Sequence, residues 1–261
     1  MSKSKTSKVS IKSYTIKILA VCFWLLVWEV LSRLFGYKVL LPSPTSVLAT
    51  LAKLLWSLDF WQTIAFSSLR IILGFLFALI LGMLLALCAY NSSIIRELIA
   101  PIMKTIQAMP VASFIILALI WIKAENLSVL SSFLMLMPLI YSNVYQGLRA
   151  ADRKLLQMAK VFQLSNYKKI IAIYIPSVLP YFISAIAVGV GLCWKAGIAA
   201  EVIGYPRGSI GKRLYEAKLY LMTEELFAWT IVIILVSILF EYGVMRLLRL
   251  LGRKEPSLPS S

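Results

Sequence analysis

Isolated charges inside apolar stretches are the residues of this sequence with the clearest potential for chemistry. Lys195, Glu29 and Arg33 each lie within such a stretch. An ion at the centre of a bilayer costs about 2.5 kcal/mol or more, so each needs water or a partner if its stretch crosses a membrane. Glu29 and Arg33 are spaced i,i+4, which favours local neutralisation of charge over an ion relay. Lys195 either extends to the outer surface or faces a pathway, where it would favour an anion.

Conventional catalytic and metal-binding groups are scarce. Histidine is absent from the sequence, which removes the commonest general base and the commonest metal ligand. Cys22, Cys88 and Cys193 lie far apart within apolar runs and are interpreted as small hydrophobic residues. The segment from Pro206 to Arg213 resembles a phosphate loop but lacks its first glycine and its magnesium-binding hydroxyl. We therefore assign no catalytic, cofactor-binding or metal residues, and any ATP and magnesium would be bound by another chain.

The elements that carry these residues are long apolar runs. Of the 261 residues, 61% are hydrophobic, and the mean hydropathy is +0.87. A helix of about 20 apolar residues crosses a bilayer core about 30 Å thick, whereas a soluble chain of this length could hardly bury several helices that are apolar all round. We predict an all-α integral membrane protein with six transmembrane helices, the third kinked at Pro101 and Pro110, and an amphipathic stretch over 45–56. The predicted spans are 18–35, 68–90, 98–122, 127–148, 177–200 and 226–248.

The distribution of charge predicts the orientation of the chain. The formal net charge is +16, from 27 Lys and Arg against 11 Asp and Glu. On a soluble protein this excess would point to nucleic acid, but here the basic residues cluster in the leader, in the loop over 149–173 and in the tail. Because excess Lys and Arg stays in the cytoplasm, both termini and this loop are predicted to be cytoplasmic.

Small residues recur every fourth position in two predicted spans. Spacing of four places them on one helix face, where they let two backbones approach closely in lipid. Such faces are interpreted as helix-packing surfaces, either static or able to slide. The rows are Gly74, Ala78, Gly82 and Ala86 in the second span, and Ala185, Gly189, Cys193 and Gly197 in the fifth.

The loop over 149–173 is amphipathic although it lies between spans. Its apolar residues at helical spacing are predicted to form one face, and its glutamines and lysines another. Ser165 and Asn166 can cap or break a helix between two short pieces. An ordinary basic loop is the simpler alternative, but an apolar helix face held outside the bilayer favours a protein groove. The predicted apolar face consists of Leu155, Met158, Ala159, Phe162 and Leu164.

Several motifs recur along the sequence in a characteristic order and spacing. They are Leu41-Pro42-Ser43-Pro44; Arg70 four residues ahead of Gly74-Phe75; Gly147-x-Arg149-x-x-Asp152; Leu155 to Gln163 followed by Ile173-x-Ile175-Pro176; and Trp194-Lys195 with Ala199-Ala200-Glu201. In this order they resemble the motifs of binding-protein-dependent ABC importer permeases, and of their nitrate, sulfonate and taurine branch in particular. The likeness covers about 41–248.

The resemblance implies roles for two sets of residues. The loop would carry coupling helices that dock into a cytoplasmic ATPase subunit, and Lys195, Trp194 and Glu201 would be candidates for the pathway. Gln157, Met158 and Gln163 depart from the glutamate, first alanine and glycine of the family loop, so the sharp turn must come from Gln163 or from Leu164-Ser165. The implied coupling residues are Gln157, Met158, Ala159, Phe162, Gln163, Leu164, Ser165, Lys168, Lys169 and Pro176.

The resemblance also implies partners and a division of the chain. The expected partners are a second permease copy that forms a homodimer with the first, two cytoplasmic ATPase subunits that carry ATP and magnesium, and an external substrate-binding protein. Nucleic acid is not expected as a partner. The expected parts are a basic cytoplasmic leader over 1–17, the first transmembrane helix with the external Leu-Pro-Ser-Pro segment over 18–60, the ABC permease transmembrane domain over 61–250, and a cytoplasmic tail over 251–261.

The expected function is import of a small, anionic solute of the sulfonate, nitrate or taurine kind across the bacterial inner membrane by alternating access. The alternative is a secondary transporter or channel without an ATPase, which usually carries more charged residues at mid-membrane for ion coupling. A membrane enzyme is a weaker alternative because catalytic groups are scarce.

Overall fold

The computed structural model describes residues 5–35 and 40–252, and these are helical apart from short connections. Lys3 of the predicted leader and residues 253–261 of the predicted tail lie outside the described residues. The helices are α1 (Lys5–Phe35), α2 (Pro44–Leu55), α3 (Leu58–Asn91), α4 (Ser93–Ala108), α5 (Val111–Ala118), a 3₁₀ turn (Ala124–Asn126), α6 (Leu127–Arg149), α7 (Arg153–Val161), α8 (Asn166–Lys169), a π-turn (Ile170–Tyr174), α9 (Ile175–Gly204), α10 (Ile210–Leu219) and α11 (Thr223–Gly252).

Four helices of the described residues are long and apolar enough to cross a bilayer, namely α3, α6, α9 and α11. The bent pair α4 and α5 adds a fifth if the two are taken as one span. The all-α membrane fold is therefore confirmed, while the count of six spans stays a prediction. Helix α1 is continuous over the predicted first span and begins well before it.

The predicted third span differs from the structure. In place of one kinked helix over 98–122, α4 and α5 meet at an angle of 103°. Met109 is extended, with ψ of 127°, because the proline that follows it disfavours the helical conformation. Pro101 lies inside α4 without ending it. Pro110 thus produces a sharp corner, and the two helices cannot be treated as a gently kinked span.

The connection over 201–225, between the fifth and sixth predicted spans, is polar in composition but mostly helical. Helix α9 continues to Gly204, and α10 occupies much of the remainder. The hydroxyl of Ser209 accepts a hydrogen bond from the Lys212 N–H at 3.0 Å, as an N-terminal cap does. Ile210 and Ala217 are buried. A cap and two buried apolar residues are enough to hold a short helix whose composition is polar.

The chain forms two compact units. The first contains the described residues up to Trp61 together with Arg213–Ile231. Within it the indole N–H of Trp28 and the hydroxyl of Ser32 donate hydrogen bonds to the carbonyls of Pro42 and Leu41, at 3.1 and 2.8 Å. These bonds fix the Leu-Pro-Ser-Pro segment against α1.

Charged contacts also hold this first unit. The Arg213 guanidinium is paired with Asp59, and Glu29 is paired with Arg33 at 2.8 Å. The predicted local neutralisation of Glu29 is therefore confirmed. The i,i+4 geometry lets one turn of helix carry both charges with no net charge.

The second unit contains Gln62–Lys212 and the residues from Val232 onwards. Its most buried long helix is α6, with 56% of its most apolar stretch buried against 6% for α11. Helix α6 packs most extensively on α9, and the Ser132 hydroxyl donates to the Cys193 carbonyl at 3.0 Å. We refer to the contact of α6 with α3 and α9 as the central seam.

Glycines allow the helices of the central seam to approach each other closely. A methyl group at Gly82 of α3 would lie 3.0 Å from Ile140 Cβ of α6. One at Gly197 of α9 would lie 2.6 Å from Ile71 Cγ1 and 2.7 Å from Ser132 Oγ. The remaining small residues of the two predicted rows are also buried: Gly74, Ala78 and Ala86 in α3, and Ala185, Gly189 and Cys193 in α9.

Candidate functional site

The predicted coupling loop folds as α7 and α8 joined by a tight turn, and we call residues 153–169 the α7–α8 segment. Helix α7 begins after Asp152, whose carboxylate accepts a hydrogen bond from the Lys154 N–H at 2.8 Å. Helix α8 begins after Ser165, whose hydroxyl accepts from the Lys168 N–H at 3.4 Å. The sequence therefore supplies a cap for each short helix.

The turn between the two helices is made by Gln163. Its φ is +47°, in the left-handed region that favours glycine. The Leu164 N–H donates to the Ala159 carbonyl at 2.9 Å, and the Gln163 N–H donates to the Lys160 carbonyl at 3.1 Å. This is the hydrogen-bond pattern of a Schellman motif. Of the two sources of the turn left open by the sequence, the structure uses Gln163 itself.

The apolar residues of the α7–α8 segment point in two directions. Ala159 is 2% exposed and lies in a small cluster with Ala151 and Ile173, against which Leu156 and Leu164 pack. A second set is exposed at i, i+3 and i+7 of α7. One edge of the predicted apolar face anchors the segment to its own chain, and the rest of that face is left uncovered. The uncovered residues are Leu155, Met158 and Phe162 with the neighbouring Val161, followed by Tyr167.

The anchoring of the segment continues into α9 through the π-turn. The Ile175 N–H donates to the Ile170 carbonyl, five residues back. The next residue, Pro176, has no N–H, and its ring would clash with the carbonyl four residues earlier in a regular α-helix. The wider π-turn accommodates that carbonyl, so α8 joins α9 without an interruption of the helical path.

The remaining predicted coupling residues are placed as follows. Gln157 and Lys168 are exposed, Lys169 is half-buried, and Pro176 is exposed at the start of α9. The structure thus brings most of the predicted set onto one short segment. Pro176 and Lys169 lie at the junction with α9.

The three candidate pathway residues do not lie together. Trp194 and Glu201 are buried, with exposed fractions of 1% and 0%, whereas Lys195 is exposed. Residues seven apart lie on nearly the same face of a helix, while adjacent residues differ by about 100°. Trp194 and Glu201 therefore face the core of the second unit, and Lys195 faces outward.

Glu201 belongs to a buried hydrogen-bond network that the sequence did not predict. Its Oε2 accepts from the Ser67 hydroxyl at 2.7 Å and from the Gly211 N–H at 3.2 Å. The Ser67 oxygen in turn accepts from the Ile210 N–H at 2.9 Å. One carboxylate and one hydroxyl thus join α3, α9 and the N-terminus of α10, where unpaired N–H groups favour a negative partner.

A cation lies beside this network. Glu201 and Glu125 both act electrostatically on Arg70, and the side chain of Ser128 also faces Glu201. The Arg70 guanidinium lies over the Phe66 ring at 3.4 Å from the centroid. Two signals were available in the sequence: Ser67 and Arg70 share a helix face at i,i+3, and Glu201 stands alone among apolar residues.

Comparison with known proteins identifies the family. The model of the family described as binding-protein-dependent transport system inner membrane component matches residues 78–255. Three relatives extend the likeness to nearly the whole chain. SsuC of Bacillus subtilis (strain 168), a permease protein named for aliphatic sulfonates transport, is 26% identical, covering 87% of this chain and 82% of SsuC.

Two further relatives are similar to the same extent. The taurine transport system permease protein TauC of Escherichia coli (strain K12) is 25% identical, covering 93% of this chain and 88% of TauC. The bicarbonate transport system permease protein CmpB of Synechocystis sp. is 26% identical, covering 90% of this chain and 88% of CmpB.

Solved structures show the same fold. An amino acid ABC transporter crystallised with histidines has a TM-score of 0.53 at 18% identity, over 74% of this chain and 94% of that chain. The inward-facing MetNI methionine ABC transporter has a TM-score of 0.51 at 15% identity, over 72% and 93%. The family-model match over 78–255 shows that the chain belongs to the binding-protein-dependent transport system inner membrane component family. Together with its relatives and the apolar helices of the described residues, this makes the chain an ABC importer permease of the membrane.

Proposed function

We propose that this chain forms half of the pathway of an ATP-driven importer for a small anion, with the α7–α8 segment as its contact to a cytoplasmic ATPase. The observation that carries the proposal is the uncovered apolar surface of that segment. Phe162 is 70% exposed and Val161 is 78% exposed, on a short helix that is fixed to its own chain from behind.

The chemistry of this surface fits a protein groove better than lipid or water. In water, a contiguous apolar patch on a charged segment marks an interaction site. In lipid, the nearby ammonium groups of Lys160 and Lys168, which are exposed, would lose their hydration. A groove in a partner covers the apolar residues and leaves the lysines at its rim, as helix-in-groove recognition does.

The orientation follows from charge. We place both termini and the α7–α8 segment in the cytoplasm, because Lys and Arg are concentrated in the leader, this segment and the tail. Helix α1 then serves as the first of six spans, and the α4–α5 corner as the third. This proposal retains the expected division into a leader over 1–17, the first transmembrane helix with the external Leu-Pro-Ser-Pro segment over 18–60, a permease domain over 61–250 and a tail over 251–261.

The proposed assembly is symmetric. Two permease copies would form a homodimer, two ATPase subunits would bind ATP and magnesium, and an external binding protein would deliver the solute. Closure of the ATPases would move the α7–α8 segments as rigid bodies. The pathway would alternate between two packings, each favoured by a ligand at one face of the membrane.

The solute is inferred from the relatives and from one side chain. SsuC, TauC and CmpB are named for aliphatic sulfonates, taurine and bicarbonate, all small solutes with an anionic group. Lys195 is the exposed cation of α9, and an ammonium turned toward a second copy avoids the cost of facing lipid. We therefore place Lys195 on the pathway, and replacement by Gln or Glu should weaken transport of the anion.

One experiment tests the proposal. The chain is co-expressed with its genomic neighbours and purified, and the preparation is examined for a bound ATPase whose activity rises with a loaded binding protein. Co-purification and stimulation are expected. A secondary transporter or channel would give neither, and that result would overturn the proposal.

A second experiment tests the orientation alone. The native cysteines are replaced by serine or alanine, Lys168 is replaced by Cys, and intact cells are treated with a membrane-impermeant maleimide. Labelling is expected only after the cells are opened. Labelling of intact cells would place the α7–α8 segment outside and exclude contact with a cytoplasmic ATPase.

A further inference from the structure

A cavity of about 760 Å³ lies where the C-terminal ends of α3 and α6 meet the π-turn and the start of α9. Its volume is in the range of sites that bind small ligands, about 300–1,000 Å³. Its position at the base of the α7–α8 segment separates it from the uncovered surface proposed to contact the ATPase.

The cavity has an apolar end and a polar end. Along α3 its wall passes from Met83 and Leu87 to Tyr90 and Asn91. At a rise of 1.5 Å per residue, the eight residues from Met83 to Asn91 span about 12 Å. The change of character along one helix means that a ligand which fills the cavity must itself be apolar at one end and polar at the other.

The opposite wall repeats this order. Phe182 and Leu179 of α9 line the apolar part, and Tyr174, Lys169 and Asn166 line the polar part. The hydroxyls of Tyr90 and Tyr174, from opposite walls, lie 3.3 Å apart in the polar part. Both walls therefore place their polar groups at the same end.

The polar end carries positive charge. Lys169 is the charged residue of the lining, and in the part of the chain that the structure describes it takes no part in an ion pair. The amides of Asn91 and Asn166 and the tyrosine hydroxyls can donate hydrogen bonds beside it. An ammonium surrounded by neutral donors fits a phosphate group.

We propose that this cavity binds one anionic phospholipid of the inner leaflet, with its phosphate at Lys169 and an acyl chain along Leu87, Met83 and Phe182. Basic pockets between transmembrane helices on the cytoplasmic side are suited to anionic headgroups. Free phosphate would leave the apolar part empty, and a zwitterionic lipid would bring the cation of its own headgroup close to Lys169. The site rests on the cytoplasmic orientation given under the proposed function, not on the ATPase contact.

Occupancy of the cavity would act on the α7–α8 segment. Asn166 and Lys169 belong to α8, and Ile170 and Tyr174 to the π-turn, so the lipid contacts the elements that join the segment to α9. A ligand that contacts both sides of a junction stabilises one arrangement of it. The lipid is therefore expected to stabilise one arrangement of the α7–α8 segment relative to α9.

The test measures lipid binding directly. The detergent-purified complex is titrated with phosphatidylglycerol or phosphatidylcholine, and bound lipid is counted by native mass spectrometry. One tightly retained phosphatidylglycerol per permease copy is expected. Lys169→Gln should weaken its retention about fivefold, the effect expected for one lysine near an anionic headgroup. The matched Lys168→Gln removes the same charge from an exposed neighbour outside the lining and should have a smaller effect.

Two further measurements distinguish the proposed lipid from other occupants of the cavity. Leu87→Trp fills the apolar part from a position that is 44% exposed and should abolish retention; inorganic phosphate should not compete. Equal binding of the two lipids, equal effects of the two lysine variants, or displacement by phosphate would overturn the proposal. Loss of the dimer in Leu87→Trp would assign the cavity to the second copy instead. An ATPase that still co-purifies in these cases leaves the proposed function intact.

Discussion

The central seam and the α7–α8 segment are both made of apolar helix surface, but one is closed and the other is open. At the seam, a methyl group added at Gly197 would meet atoms of two other helices within 3 Å. On the segment, Phe162 and Val161 project without cover in the described structure. The seam is sensitive to added volume, because packing leaves no room for it. The open surface is sensitive to a change of polarity, because its proposed role is to bind an apolar groove of another protein.

The largest expected effect is on the open surface. Replacement of Phe162 by Asp places a charge where an aromatic residue should dock, and a central interface residue is worth about 2 kcal/mol or more. ATP-driven uptake and retention of the ATPase should fall about 30-fold or more, while the melting temperature of the permease changes little. Phe162→Leu is the control and should retain most of both. Wild-type retention of the ATPase by Phe162→Asp would exclude this residue from the contact.

The next effect is on the closed seam. Gly197→Ala brings a methyl group to 2.6 Å from Ile71 Cγ1, and overpacking of this kind should lower the free energy of unfolding by about 2–3 kcal/mol. Gly191→Ala is the matched change on the same helix, with nothing within 4 Å of the added carbon. It should be neutral or slightly stabilising, since alanine is the better helix former. Unfolding in detergent, followed by tryptophan fluorescence, compares the two; equal stabilities would mean that the seam relaxes freely.

A polar contact of the second unit gives a somewhat smaller effect. Glu201→Ala removes the acceptor of the Ser67 hydroxyl and the Gly211 N–H, and unfolding should become easier by about 1–2 kcal/mol. Glu201→Gln keeps an acceptor oxygen and should cost less. A double-mutant cycle with Ser67→Ala, measured by the same unfolding assay, should show coupling between the two residues. Strict additivity would mean that the Ser67 bond contributes nothing.

The smallest effect is at the turn of the α7–α8 segment. Gln163→Gly should raise stability by about 0.5–1 kcal/mol, because glycine adopts the positive φ of this position without steric cost. The same substitution six residues earlier, Gln157→Gly, lies inside α7 and should lower stability by a similar amount. Thermal unfolding of the two variants should therefore shift in opposite directions. Shifts of the same sign would mean that the left-handed turn is not retained.

The comparison also explains what could be read from the sequence. The apolar spans around α3, α6, α9 and α11 were predictable because lipid requires continuous apolar length. The short helix α10 was missed because its composition is polar and its cap is a single serine. A kink was expected where the structure has the corner between α4 and α5. The sequence did not indicate the angle, because a proline signals a break in a helix but not how sharp it is.

The candidate site was predictable to a similar degree. The location of the α7–α8 segment and its cap at Ser165 followed from local residue types. The burial of Ala159 did not, because it depends on contact with Ala151 and Ile173, which lie outside the segment. The partner of Glu201 is 134 residues away, and a single sequence contains no local signal of such a contact.

The exposed aromatic side chain of Phe162 has a consequence for copies of the protein that are not yet assembled. In the proposed assembly, a newly inserted copy that has not yet bound an ATPase would hold this ring in the cytosol, where it could adhere to unrelated proteins or be recognised as misassembled. Balanced synthesis of the two proposed subunits would shorten that interval. Surplus copies would be targets for proteolysis, and the abundance of the permease would then follow that of the proposed ATPase.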